Sequence, residues 1–437
     1  MTLAGSAWIP PHQARRRTWP QRRRNLGCSI ASPIDEKKPA RGGRKLRTSD
    51  SRPAASGPAQ VAPHYSKEKM REHHLDGLRG WASLFVVFGH LGPMFLLAGR
   101  QFPALPFLWD GQLAVYVFFV LSGYVLSVGH FRRGARSAAV LQAIRRYPRL
   151  TVPILASCAI AVALQQFGLL HNIAAGVLVK SPWLESFYSF EMTWPGLLQF
   201  AGWDVYARYE GTHTYNAVLW TMPFEMLGSL LIFGMLFLVG SNRTLQVIAT
   251  AVFIAWTGFT GSPLLAFALG TAVALASATA QSSGVRPPHQ MLGWLLLGVT
   301  LTVSLYRYLG GGPVQLSLYA AAILIAVQIT PALQRILSNR LSQWLGAVSF
   351  PLYLTHLLVF CSVSSYMVLA LSENGSLSTT VRLVIAITTI AASLIVATAF
   401  EPIEKLAIRV SRAISSAAMC LASASRRASP VNATPKP

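Results

Sequence analysis

Between Trp81 and Phe400 the chain returns repeatedly to apolar tracts long enough to cross a hydrocarbon layer. Backbone groups placed in lipid must satisfy one another, so these tracts read as transmembrane helices, and the predicted class is all-α: a polytopic bundle. Spans are expected at 77–98, 111–129, 149–169, 217–239, 246–261, 264–280, 290–308, 314–330, 345–370 and 381–400. That makes ten, of which the fifth, sixth and eighth are short for a perpendicular crossing, so a count differing by one pair stays open.

The charge pattern tests that count separately. The chain is 52% hydrophobic yet carries a formal net charge of +23. With the N-terminus in the cytosol, that side receives 16 Lys/Arg in residues 1–72 and six in 130–149. It also receives Arg243, Arg286, Arg335 and Arg340, and six more basic residues at the C-terminus. The opposite side receives Arg100, Lys180, Arg208 and Arg382. The positive-inside bias therefore places both termini in the cytosol, an alternation that an odd number of spans would break. Endoplasmic reticulum and plasma membrane are both open as the host membrane.

Residues 1–72 hold RRR at 15–17 and 22–24 amid Pro, Ser and Gly, with no apolar period able to build a core, and read as a disordered basic cytosolic tail. No apolar stretch follows the basic run as it would in a secretory signal, although an Arg-rich, acid-poor start also suits organelle import. Residues 407–437 read as a Ser/Ala/Arg-rich cytosolic tail, leaving 73–406 as the membrane domain. Basic tails attract nucleic acid, but no aromatic residues are interleaved here, so a membrane-surface role is expected and no nucleic-acid partner. Cys28, Cys158, Cys361 and Cys420 have neither disulfide-framework nor zinc spacing, and no metal is expected.

The connection 170–216 carries Trp183, Trp194 and Trp203, four tyrosines and four carboxylates, which suits an interfacial cap or a partly re-entrant loop more than a substrate site. Asn374-Gly-Ser is a glycosylation sequon in a loop expected on the non-cytosolic side.

Polar residues inside the spans carry the chemistry. In HHLDGLRGWASLFVVFGHLGP (73–93), Asp76 is expected to cap the first span, and Arg79 and His90 lie 11 residues apart. That offset returns to nearly the same helix face after a rise of about 16 Å. Arg79 can snorkel to headgroups or bind an anion. His90 is too deep to snorkel and is expected to face a cavity or a partner, as a proton acceptor for a hydroxyl or as a structural histidine. In LWTMPFEMLGS (219–229), Glu225 lies roughly 12 Å from the start of its span, at a depth similar to His90. It is expected to orient His90 or contact an acceptor hydroxyl, with Trp220 lining the entrance; helix packing is the plainer reading. Ser122-Gly123-Tyr124 reads as close helix packing with two spare hydroxyls. Arg145, Arg146 and Arg149 in RRYPRL serve either as inside-positive anchors or, with Arg79, as a guanidinium cluster for phosphates, whether of a nucleotide-bearing donor or of a phospholipid headgroup. Tyr353 and His356 share a face of the ninth span, where His356 is a second cavity histidine or a helix contact, and Glu401 and Glu404 are expected to pair with basic loops.

Five strings in order, HLDGLRGWASLFVVFGH (74–90), FFVLSGYVLS (118–127), RRYPRLTVP (145–153), LWTMPFEMLGS (219–229) and SFPLYLTH (349–356), resemble the integral-membrane acyltransferase 3 family, particularly its fungal-type members. The resemblance covers about residues 73–406. It implies an O-acyltransferase moving an acetyl or other short acyl group from acyl-CoA, a substrate rather than a resident cofactor, to a hydroxyl of a carbohydrate, lipid or secondary metabolite. It further implies His90 as the essential histidine with Arg79 its partner, Arg146 and Arg149 as the Arg-x-x-Arg pair, and Glu225 as the acidic residue of the Trp-Thr-x-Pro-x-Glu string. Arg79, Arg146 and Arg149 would then bind the donor, and His90 and Glu225 would be catalytic. Tyr124, Trp220 or backbone amides remain as oxyanion donors. No esterase-like domain is seen in the sequence, so transfer is expected to finish within the membrane part. The alternative class is a transporter or flippase for a lipid or small metabolite.

Overall fold

The computed structural model describes residues 72–92, 110–134, 136–283, 290–306, 312–373 and 375–428, without the side chains of 305, 306 and 422–428. They fall in one compact unit, Ser66–Pro437. The basic segment up to residue 71 with its Cys28, and the Asn374 sequon, lie outside the described residues.

Each expected span is built on a helix, with the last one to three residues of the third, fifth and eighth falling in turns or irregular backbone. The helices are α1 (His73–Leu91), α2 (Gly111–Arg133), α3 (Arg136–Gln166), α4 (Asn172–Val179), α5 (Pro182–Glu185), α6 (Trp194–Gln199), α7 (Val205–Ala207) and α8 (Met222–Val239). They continue as α9 (Arg243–Phe259), α10 (Leu264–Ser283), α11 (Gln290–Tyr306), α12 (Pro313–Ile329), α13 (Pro331–Leu337), α14 (Arg340–Val359), α15 (Ser365–Ala370) and α16 (Thr379–Ala428). Among the described residues the only strand-like pairing is a single bridge between Glu373 and Ser376. The protein is an all-α membrane-spanning bundle.

Length and hydropathy divide the ten segments unequally. Six helical stretches, Gly111–Arg133, Arg136–Gln166, Ala217–Val239, Leu264–Ser283, Arg340–Ala370 and Thr379–Leu421, are long and apolar enough to cross a membrane unaided. A seventh is the α12 and α13 pair, broken by a 98° bend. Helices α9 and α11 are apolar but short. In α1, Asp76, Arg79 and three histidines dilute an otherwise apolar sequence.

Three boundaries differ from expectation, each for a physical reason. Helix α1 begins at His73, so Asp76 sits in its first turn, where a carboxylate opposes the helix dipole, and is not the cap. Helix α3 starts at Arg136 and continues through Pro148 and Pro153, both buried, so the RRYPRL arginines project from a helix rather than from a loop. Helix α16 does not stop at the expected end of the last span but continues to Ala428, taking in much of the stretch read as a tail. Ala407, Ser411 and Ser415, spaced by four, are all buried and make a small-residue stripe along the extension.

Backbones approach so closely that only glycine fits at several helix crossings, two of which bear on the site. Helices α1 and α14 run parallel: Gly77 lies against Ser342, Gly80 against Gly346 and, ten residues on in each helix, His90 against His356. Trp81 Nε1 donates to Ser342 Oγ at 3.0 Å and Arg79 Nη2 to the Gly346 carbonyl at 2.9 Å. A Cβ on Gly80 would stand 2.4 Å from Gly346 N, and one on Gly346 would stand 2.4 Å from the Asp76 carbonyl. Helices α2 and α10 meet similarly, a Cβ on Gly123 falling 2.2 Å from the Phe267 carbonyl. Small residues thus let the helices approach closely enough for dispersion contacts, which dominate helix association in lipid. The α1/α14 pair carries His90 and His356, so this packing sets the distance between the two rings.

Candidate functional site

Arg79, at the junction of α1 and α14, is tied by both arms of its side chain. Its Nε donates to Ser349 Oγ at 2.8 Å, its Nη2 to the Gly346 carbonyl, and Asp76 lies 3.7 Å away. Eleven residues on, Nδ1 of the half-buried His90 lies 2.9 Å from Nε2 of the fully buried His356. The two ring planes differ by 9° with centroids 5.1 Å apart, so the imidazoles meet edge to edge, as a hydrogen bond demands. Trp183 lies 5.1 Å from the His90 ring on a plane inclined by 28°, and Phe187 meets Trp183 edge-on at 4.4 Å.

Glu225 lies elsewhere. Its carboxylate pairs with Arg146 and accepts from Ser122 Oγ at 2.9 Å and 3.2 Å. The expected contact with His90 is therefore replaced by one with an arginine: α8 presents Glu225 towards α3, while α14 supplies the imidazole partner of His90. Arg146 and Arg149, three apart on α3, share a face, whereas Arg145 turns away and donates to Ser415 Oγ on α16 at 2.8 Å. Arg149 makes no hydrogen bond or ion pair among the described residues and is exposed where it borders two cavities.

Three cavities stand in series, joined through shared walls. The first, about 700 Å³, opens at the end of the bundle where α1 begins and is bordered by Arg79, Arg132, Arg133, Arg149, Glu404 and Lys405, among others. The middle one, about 130 Å³, shares Arg79, Arg149 and Glu404 with it and adds Arg146, Glu225 and Ser122. The far one, about 480 Å³, shares Val115 and Tyr353 with the middle one and holds His90, Asp110, Gln112, Trp183 and Trp220. Tyr353 is fixed in that partition because its hydroxyl donates to the Val218 carbonyl and meets Thr221 Oγ1 at 2.8 Å.

Tyr124 is removed from the oxyanion candidates by this layout. It borders the first cavity, and its hydroxyl donates to Glu72 at 3.0 Å and 3.2 Å. Glu72 also accepts from Arg132 at 2.7 Å and Gln328 at 3.1 Å. Burial by itself would raise the Glu72 carboxyl, but the bonds from Gln328, Arg132 and Tyr124 outweigh it and hold the group below its ordinary value. Glu72 is thus a charged latch joining the start of α1 to α2 and α12. Glu401 pairs with Lys405 on its own helix at 2.9 Å, not with a loop.

Reading the sequence alone missed Trp183 and Phe187 as cavity walls. Their signal was only the density of aromatic residues in 170–216, which an interfacial cap explains equally well. What brings them to His90 is Asn172, whose amide donates to the Leu184 and Phe187 carbonyls and folds α5 back under α4.

Comparison with known proteins gives the family. A family model described as an acyltransferase domain, that of the acyltransferase 3 family, matches residues 72–400. An O-acetyltransferase of Phomopsis amygdali, PaAT-1, is 26% identical over 371 residues, covering 67% of this chain and 73% of the relative. No solved structure matches the chain. Together these decide between the enzyme and the transporter, and the chain belongs to the acyltransferase 3 family as a multi-pass membrane O-acyltransferase.

Proposed function

We propose that the protein moves an acetyl or other short acyl group from acyl-CoA, bound from the cytosolic side, to a hydroxyl of a carbohydrate, lipid or secondary metabolite that enters the far cavity. The observation that carries this reading is the series of cavities running from Arg149, which makes no hydrogen bond or ion pair among the described residues, to His90. A thioester of a nucleotide needs anion recognition at one end and a base at the other, and the series supplies both. Arg149 is open to phosphate, Arg79 borders the same two cavities, and Arg146 keeps a buried Nε with no hydrogen-bond partner among the described residues.

His90 is the base in this reading. The acceptor hydroxyl gives its proton to the imidazole as its oxygen attacks the thioester carbonyl; the C–S bond then breaks, and the imidazolium returns the proton to the departing thiolate, leaving ester and thiol. Glu225 acts through Arg146, holding that guanidinium beside the donor's path instead of touching the imidazole. Trp220 and the indole face of Trp183 bound the space where the acceptor sits. The relative's name, an O-acetyltransferase, supports acetyl as the group moved. Endoplasmic reticulum and plasma membrane both suit a chain with its basic ends in the cytosol.

The test is transfer itself. Purified protein in lipid nanodiscs is expected to carry radiolabel from acetyl-CoA to a panel of sugar, sterol and terpenoid alcohols. Mass spectra of the host are expected to lose a species heavier by one acetyl group when the gene is deleted. Hydrolysis of the thioester without any acylated alcohol, in both experiments, would contradict the reading.

A further inference from the structure

His356 was an undecided residue on sequence, and its contacts decide what it does. Its Nδ1 lies 3.0 Å from the Leu352 carbonyl and 2.9 Å from the Tyr353 carbonyl. Carbonyl oxygens only accept, so Nδ1 must carry the proton, and a neutral imidazole has one proton to place. Nε2 of His356 is therefore bare. That atom faces Nδ1 of His90 at 2.9 Å, edge to edge, so the proton between the two rings belongs to His90. His90, neutral in turn, has its own proton on Nδ1 and a bare Nε2.

We infer that His356 is a positioning residue that fixes His90 in the tautomer with Nε2 free to take the acceptor's proton, the carbonyls of Leu352 and Tyr353 being the origin of that choice. The inference rests on the reading of His90 as the base. The device does what a carboxylate does behind a catalytic histidine, with a neutral ring in place of a charge. When His90 takes the hydroxyl proton on Nε2, its Nδ1–H becomes a charged donor to the His356 lone pair, and that hydrogen bond strengthens as the charge forms. No proton needs to leave His90 towards His356, and the one on Nε2 goes to the departing thiolate. A neutral partner also suits the site, because a carboxylate buried there would carry its own desolvation penalty into the span. The carboxylates nearest to it are engaged elsewhere: Asp110, in the same cavity, accepts from Leu113 N at 2.8 Å, and Glu225 is held by Arg146 and Ser122.

Replacement of His356 by Gln and by Leu separates the acceptor from the ring. Gln places an amide oxygen near the position of Nε2 and can accept from His90 Nδ1; Leu fills a similar volume and cannot. His356→Leu is expected to lower kcat by about 100-fold with little change in KM for acetyl-CoA, since the arginines are untouched, and His356→Gln to return kcat to within about tenfold of wild type. Equal loss in both variants, or wild-type turnover in His356→Leu, would overturn the inference. Absence of any acyl transfer by the wild-type protein would instead refute the proposed function. Should the Leu variant fail to fold, nitrogen-15 NMR of histidine-labelled wild-type protein in nanodiscs gives the answer directly. The expected spectrum shows His90 with a protonated Nδ1 and a bare Nε2, and the reverse assignment would overturn the inference.

Discussion

Glu225 shows what a single buried charge in a span is for. A carboxylate in an apolar helix is stable only when paired, and its partner here is Arg146, with Ser122 adding a hydroxyl. Replacing Glu225 with Gln keeps the shape and the serine contact but leaves a guanidinium without its counter-charge. We expect a loss of about 3 kcal/mol in stability, the usual cost of breaking one side of a buried pair. Adding Arg146→Met should restore part of it, since both charges then disappear together. Unfolding of detergent-solubilised protein followed by denaturant titration checks this, and unchanged stability in Glu225→Gln would remove the pair from the account. The sequence allowed the existence of this pair to be expected but not its identity. Glu225 and His90 lie at similar depths, and depth alone does not say which way a side chain turns around its helix.

At the scale of elements, the contact of α1 with α14 does most to build the site. It is read from small residues, Gly80 and Gly346, that leave no room for a side chain. Gly346→Val is expected to push the two helices apart, costing on the order of 1–3 kcal/mol and lowering turnover at least tenfold as His90 and His356 separate. Gly234, on the exposed face of α8 with nothing near the position of a Cβ, is the contrasting case. There Gly→Ala should raise stability by roughly 0.5–1 kcal/mol without touching activity. Thermal unfolding and transfer rates measured on both variants check the pair of expectations; equal behaviour would mean that helix propensity, not close approach, explains these glycines. The elements themselves were legible, because hydropathy over about 20 residues reports a helix in lipid with little interference. Their ends were not. Helix α3 runs through Pro148 and Pro153, and α16 runs far beyond Phe400, because helix continuation there depends on neighbours that a local pattern cannot include. The stripe Ala407, Ser411, Ser415 was a usable sign of the α16 extension.

For the whole molecule, the cavities form a series with different chemistry at its two ends. Arginines gather in the first and middle cavities, imidazole and indole in the far one, and Val115 and Tyr353 stand between. The resemblance to a family pointed to the residues at both ends, and the Arg79/His90 face was already visible from an offset of 11 in one helix. The partition, and the lining of the far cavity by Trp183, were not visible, since they need residues from α2, α5 and α14 together. Such a division of labour predicts that the two ends fail in different ways. The most direct measurement is a kinetic comparison of Arg149→Ala with His90→Ala in nanodiscs, both with folding verified. Arg149→Ala should raise KM for acetyl-CoA at least tenfold while leaving most of kcat, and His90→Ala should abolish kcat by 1,000-fold or more while leaving the donor's Kd near that of wild type. Undiminished turnover in folded His90→Ala would contradict the account.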